Sequence, residues 1–193
     1  MTVMLDIIGA AVLVGMLMMT IMSVNINVSD QNFKGLSEYH IHTELIQLSR
    51  IIEFDFYKMG YRVSGLGKIR IADTSHIKYY SDLYDGNGEK DSIEYNLAYL
   101  VSSTPNPNDK ALYRYENTTR VWINYSVIQF RLTYFNANEQ PMTAPVTGVY
   151  LDSIKSVRVL LTLQSPIPFD TSRIGGSAYA GTYYQKQIYP RNL

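Results

Sequence analysis

From Ile7 to Ser29 the chain carries no ionisable side chain, and from Ile7 to Val24 it is almost wholly apolar. No other feature of the sequence limits the fold as much. As a helix, these 23 residues would reach about 35 Å, enough to cross a hydrocarbon layer of roughly 30 Å. A secretory signal peptide would need a basic segment ahead of it, a shorter apolar run and a small-residue cleavage site before Asn25, and none of these is present. A helix in the core of a soluble domain would not need so long an unbroken apolar run. The expectation is a membrane-spanning helix over residues 1–29, followed by an extramembrane part. Orientation stays open, because the nearest basic residue is Lys34 and only the α-amino group lies on the other side.

Asp6 stands at the start of this run. A carboxylate forced into lipid costs roughly 2.5–3.5 kcal/mol. Two arrangements avoid that cost. Asp6 is solvated at the interface, or it pairs with the terminal amine of a staggered neighbouring chain, a short charge-assisted contact that would set axial register in an assembly.

Beyond Asp30 the composition turns polar while the helical period persists. Ile41, Leu45, Leu48, Ile52, Phe56 and Met59 recur every three or four residues as one apolar stripe, with Glu38, Glu44, Arg50, Glu53, Asp55 and Lys58 around it. Residues 30–60 are therefore expected to continue the helix amphipathically to Met59, with Gly60 as its stop. An uninterrupted helix from Ile7 to Met59 would be about 80 Å long. Asn25, Asn27 and Gly35 are the places where it would bend most readily.

After Tyr61 the period falls to two. Lys68–Ala72 and His76–Tyr80 have strand character, and Ile93, Tyr95, Leu97 and Tyr99 alternate with Glu94, Asn96 and Ala98. Ala111–Tyr115 and Arg120–Asn124 flank a turn-like Glu116-Asn117-Thr118-Thr119. Tyr125–Phe135 is the clearest strand, with Ile128, Phe130, Leu132 and Tyr134 expected on one face, and Ile154–Leu163 repeats the pattern. Ser102–Asp109, Asn136–Gly148 and Pro166–Gly181 serve as connections, the last expected to be a mobile surface loop. One long helix followed by strands predicts an α+β domain over residues 61–193, a mainly antiparallel sheet packed on the helix stripe.

Composition excludes several functions. Seventeen basic residues balance seventeen acidic ones with no block of like charge, so no basic face is available for nucleic acid. The absence of cysteine removes disulfides, thiolate metal sites and cysteine catalysis. No nucleophile elbow, phosphate loop, dinucleotide fingerprint or His-Glu-x-x-His occurs. His40 and His42 are two apart and point to different helix faces, and His76 is isolated in sequence. Between Asp82 and Asp91, oxygen ligands at Asp85, Asn87, Glu89 and Asp91 alternate as in a calcium loop. The turn glycine is displaced, however, and Asn96 stands where a bidentate glutamate would be needed, so a plain glycine-rich turn is preferred. The sequence offers no catalytic residue, cofactor or small-molecule substrate site.

An apolar helix, its amphipathic extension and a β domain in this order resemble the type IV pilin superfamily, and within it the W-type minor pilins of type IV pili and the J-type pseudopilins of type II secretion. Arg50–Tyr61 is similar to the end of their helix. Asp91-Ser92-Ile93-Glu94-Tyr95 and Leu112-Tyr113-Arg114 are similar to their "D-x-I-x-Y" and "L-Y-R" strands. Val127–Tyr134 and Ile154–Val159 are similar to their last large strands, and Pro190-Arg191-Asn192-Leu193 to their frequent ending. The start departs from the family, with neither a basic leader nor Gly-Phe-Thr-Leu-Ile-Glu. With Met1 removed, Thr2-Val3-Met4-Leu5-Asp6 runs parallel to the processed family terminus and Asp6 takes the place of its glutamate.

The resemblance implies a non-enzymatic structural subunit, a minor component of a pilus or secretion pseudopilus in a bacterial inner membrane. Its domain would lie in the periplasm or in an extracellular filament, and its partners would be other pilin or pseudopilin subunits met through the N-terminal helix. The alternatives are a single-pass membrane scaffold in a stationary envelope complex and a calcium-regulated binding module.

Overall fold

The computed structural model describes residues 2–82, 90–101, 103–117, 119–170 and 176–193. Helix α1 (Thr2–Tyr57) runs unbroken through Asn25, Asn27 and Gly35. Its 56 residues make a rod about 84 Å long. No proline precedes Pro105, and the hydroxyls of Thr20 and Thr43 return their bonds to the carbonyls of Met16 and Tyr39, four residues back (2.9 Å each).

The helix stops two residues short of Met59. Lys58 N and Met59 N reach back only three residues, to Asp55 O and Phe56 O, a tightened last turn. Gly60 then takes φ +71°. A Cβ there would sit 2.9 Å from Asn192 O, so glycine is required both by the turn and by the C-terminal segment pressed against it. Lys68 Nζ donates to that same Asn192 carbonyl.

The strands are β1 (Ile69–Ala72), β2 (His76–Ser81), β3 (Asp91–Leu100), β4 (Lys110–Glu116), β5 (Thr119–Phe135), β6 (Pro141–Met142), β7 (Ser156–Gln164) and β8 (Gly181–Ile188), with a 3-10 turn at Gly148–Ser153. All pair antiparallel in the order β1-β2-β3-β4-β5-β7-β8, and β6 lies beside β5. This is the α+β architecture expected from the change of period.

Three details differ from the expectation. Arg120–Asn124 and Tyr125–Phe135 are one strand, β5, whose first half pairs with β4 and whose second half pairs with β7. A register shift between Val127 and Gln129 moves Val127 to the core and leaves Ile128 half-buried, because a bulge reverses the alternation on its two sides. Finally, Gly181–Ile188, past the expected Pro166–Gly181 connection and assigned to no element from the sequence, is a full strand. Where β4 departs, the free edge of β5 is met by the β1–β2 turn. Leu132 N donates to Thr74 O (2.7 Å) and the Tyr134 hydroxyl to Asp73 O (2.7 Å).

The six stripe residues, five on α1 and Met59 just beyond it, are at most 7% exposed and join Ile77, Tyr79, Ile93, Tyr95, Leu132, Val159 and Ile188 in one core. Each large apolar side chain so buried contributes about 1.5–3 kcal/mol. Phe56 stands edge-on to Tyr79 and Tyr95, with ring centroids 6.0 and 5.6 Å apart.

Two polar contacts seat the helix. Asp55, expected among the solvated residues around the stripe, is 1% exposed. Its Oδ2 accepts from Arg114 Nε (2.6 Å) and from the Tyr95 hydroxyl (2.5 Å). Burial, then the Asp55 charge and hydrogen bond, push the Tyr95 phenol well above its ordinary range. Two residues earlier, about half a turn round the helix, Glu53 accepts from Tyr184 (2.6 Å) and Lys186 (2.6 Å) on β8. Burial works to raise the Glu53 pKa, but these hydrogen bonds and the Lys186 charge outweigh it and hold the carboxyl below its ordinary 4.5.

Arg114→Met should destabilise the domain by roughly 3–5 kcal/mol, since it leaves the Asp55 charge buried without its counter-charge. The double variant Asp55→Asn/Arg114→Met should lose clearly less than the sum of the two single changes in urea unfolding. Simple additivity would show that the pair is not coupled.

A second prediction concerns pH. A carboxyl whose folded pKa is depressed stabilises above its unfolded value and stops doing so as pH falls through the folded one. Glu53→Gln should therefore cost stability at neutral pH, and the gap to the native chain should narrow as pH falls below 4.5. A gap independent of pH would overturn this account of Glu53.

Candidate functional site

The surface that stands out is the part of α1 that the domain does not cover. Residues 3–36 are exposed throughout except for the half-buried Gly15, and from Ile7 to Val24 they are nearly all apolar. Leu13, Met16, Leu17, Met18, Met19 and Met22 are each more than 60% exposed, which water does not tolerate over so long a run. The helix is long and apolar enough to cross a membrane.

Asp6 lies in the second turn of this bare segment and is exposed. Its side chain makes no hydrogen bond or ion pair with any other described residue. Met1 and its amine lie outside the described residues. Asp6 is thus a single acidic group at the end of an apolar rod.

The bare character extends into the half of α1 that the sheet holds. Leu36, Tyr39, Ile46, Phe54 and Tyr57 are exposed, and on a 3.6-residue repeat they cluster on the side opposite Ile41, Leu48 and Ile52. The expectation of a charged outer face is corrected here. Arg50 is exposed, but Glu53 turns to β8 and Asp55 is buried in the core. Lys58 covers one end of this second stripe, its Nζ 4.6 Å from the Phe54 ring centre. The sequence shows this stripe once the helix is divided into two faces, but the stronger core stripe hides it.

The other sequence candidates are dispersed. His40 is exposed, His42 Nδ1 lies 3.2 Å from the Thr182 hydroxyl, and His76 Nε2 meets Glu94 at 2.8 Å. Of the calcium-loop candidates, Asp85, Asn87 and Glu89 lie outside the described residues. Asp91 opens β3, its Oδ1 accepting from Asn117 Nδ2 (2.8 Å). Among the described residues no group of three or more His, Asp or Glu side chains is placed to hold a metal ion.

No family model matches the sequence, and no curated protein matches it. Among solved structures the chain is similar to a type IV-like pilin from Thermus thermophilus, with a TM-score of 0.53 at 12% identity over 79% of this chain and 96% of that one. At that identity the likeness establishes the fold. The chain has a type IV pilin-like α+β fold, a long apolar N-terminal helix packed on an antiparallel sheet.

Because the chain has no cysteine, single introduced thiols can report where the helix lies. In native membranes Met18→Cys should resist a water-soluble maleimide until detergent is added, while Tyr150→Cys should react at once. Equal labelling of both without detergent would exclude a membrane-embedded helix.

Proposed function

We propose that this protein is a non-enzymatic structural subunit, a minor pilin-like component of a type IV pilus or of a type II secretion pseudopilus. The observation that carries the reading is an exposed apolar helix half rigidly continuous with a pilin-like domain. Lipid covers the bare helix of a single chain held in the bacterial inner membrane, with the domain on the periplasmic side. In an assembly, neighbouring helices replace the lipid.

Lipid is as apolar as these side chains, so packing rather than the hydrophobic effect drives that exchange; once the assembly stands in water, each large side chain kept buried in the bundle contributes about 1.5–3 kcal/mol. Leu13, Leu17, Ile21 and the methionines supply that area, and the outer stripe from Tyr39 to Tyr57 extends the contact past the membrane. Dispersion and burial carry little information about axial position, because apolar side chains are interchangeable along a rod. Asp6 supplies that information. Its carboxylate pairs with the terminal amine of an adjacent subunit, a contact that low-dielectric surroundings strengthen and that a shift of one turn would break.

The test is disulfide cross-linking between single-cysteine helices in the native host, with and without Asp6→Ala. The substitution should leave membrane insertion intact and abolish register-specific cross-links to partner subunits. Cross-links unchanged by Asp6→Ala would remove the register role. A complete absence of helix–helix cross-links in the native chain would favour a single-pass scaffold in a stationary envelope complex.

A further inference from the structure

The balanced charge of the sequence, with no block of like sign, predicts no basic face. Strand alternation makes one. Residues directly opposite each other across a sheet share a face, so the register sorts the strand side chains into a side that meets α1 and a side turned away from it. On the first side, Arg114 and Lys186 each reach a carboxylate of the helix, Asp55 and Glu53. On the second, Lys78 stands opposite Glu94, Glu94 opposite Tyr115, and Tyr115 opposite Arg120, one row across β2, β3, β4 and β5. Arg131 stands opposite Leu160 and Arg158 opposite Thr133. Arg70 joins them from β1, its guanidinium 5.9 Å from the ring centre of Tyr80, whose neighbours Tyr79 and Ser81 are buried on the helix side.

Five cations therefore look out from this face, and among the described strand residues Glu94 is the one carboxylate that shares it. Glu94 is already engaged by Lys78 Nζ (2.9 Å) and His76 Nε2 (2.8 Å). Glu116, opposite the buried Ile93, and Asp91, two residues from Ile93, lie on the helix side. Arg70, Arg120 and Arg131 are exposed, and neither Arg70 nor Arg131 has an ion pair with a described residue. The cations run from β1 to β7, six neighbouring strands and so about 24 Å.

We propose that this outer sheet face binds an acidic polysaccharide, a chain of sugar rings that carries carboxylates. Charge complementarity supplies the attraction: cations spread over a flat face meet an anion that repeats along a polymer. Ser92, Asn96, Thr133 and Gln185 stand on the same face and offer donors and acceptors to sugar hydroxyls. A single-stranded nucleic acid would use open aromatic rings to stack its bases. Here the Arg70 guanidinium lies against Tyr80, and that of Arg120 sits 5.1 Å from the Tyr113 ring centre. The face is turned away from α1 and is open in a single chain, so the proposal holds whether or not the helix assembles with others.

The experiment is fluorescence anisotropy of a labelled oligogalacturonate with the full chain in non-ionic detergent, at rising salt. Neutral dextran and a single-stranded oligonucleotide of equal charge are run beside it. Saturable binding of the oligogalacturonate is expected, weakening steeply with salt, with none to dextran. The double variant Arg70→Gln/Arg131→Gln should lose most of that binding. Arg50→Gln, which alters an exposed residue of α1, should bind as the native chain does. Should the urea midpoint of the double variant fall, Arg131→Gln alone decides.

No binding at low salt would overturn the proposal, as would binding untouched by the outer-face variants. Equal loss in Arg50→Gln would mean attraction to the chain's charge at large. Tighter binding of the oligonucleotide would make nucleic acid the partner instead.

Discussion

Asp55, a carboxylate that water does not reach, fixes how the helix sits on the sheet. A stripe of Ile, Leu and Phe holds α1 against the strands strongly but without much preference, since a rotation or a slide of one turn would present similar side chains to the same surface. Arg114 on β4 and Tyr95 on β3 converge on one oxygen of Asp55, and any other seating would strand a buried charge. Glu53, held by Tyr184 and Lys186 on β8, adds a second fixed point on the other side of the stripe. The helix therefore leaves the domain in one direction, and everything beyond the domain inherits that direction.

That direction is transmitted because the rod is continuous. Between the apolar run that ends at Val24 and the first buried stripe residue, Ile41, the helix passes through Asn25, Asn27, Ser29, Asp30, Gln31 and Asn32 without a break. From Asn25 to Leu36 this is about 18 Å of more polar helix, which sets the domain off from the apolar run and keeps the two parts in fixed relation. The same helix shows two kinds of apolar surface: one bare all round, the other limited to a stripe opposite the sheet. Both lie on one straight element, so a neighbouring rod can use them together.

Much of this was legible in the sequence. The apolar run, the core stripe at Ile41–Met59 and the change from a period of 3.6 to one of 2 gave the fold class, because periodicity reports directly which side of an element is wet. What escaped was set by contacts distant in sequence. Asp55 looks solvated until Arg114 arrives 59 residues later. The shift at Val127 follows from β5 changing partners from β4 to β7. Strand β8 escaped because Gly181-Thr182-Tyr183-Tyr184-Gln185-Lys186-Gln187-Ile188 has few aliphatic residues. It is a strand because one side pairs with β7 and every second residue, Thr182, Tyr184 and Lys186, turns to the helix. Asp109, just before β4, is fully buried and gave no signal at all, since burial is not written in a connection that contains Pro105 and Pro107.

The pairing of α1 with β8 also sets an order of events in synthesis. The helix is made well before the strand carrying the partners of Glu53, which follows it by more than 120 residues. Asn192, which packs on Gly60 and receives Lys68, comes later still. Until those residues leave the ribosome, the core stripe of α1 has no complete cover. The core thus closes around a helix that has waited, stripe bare, for the last of its partners.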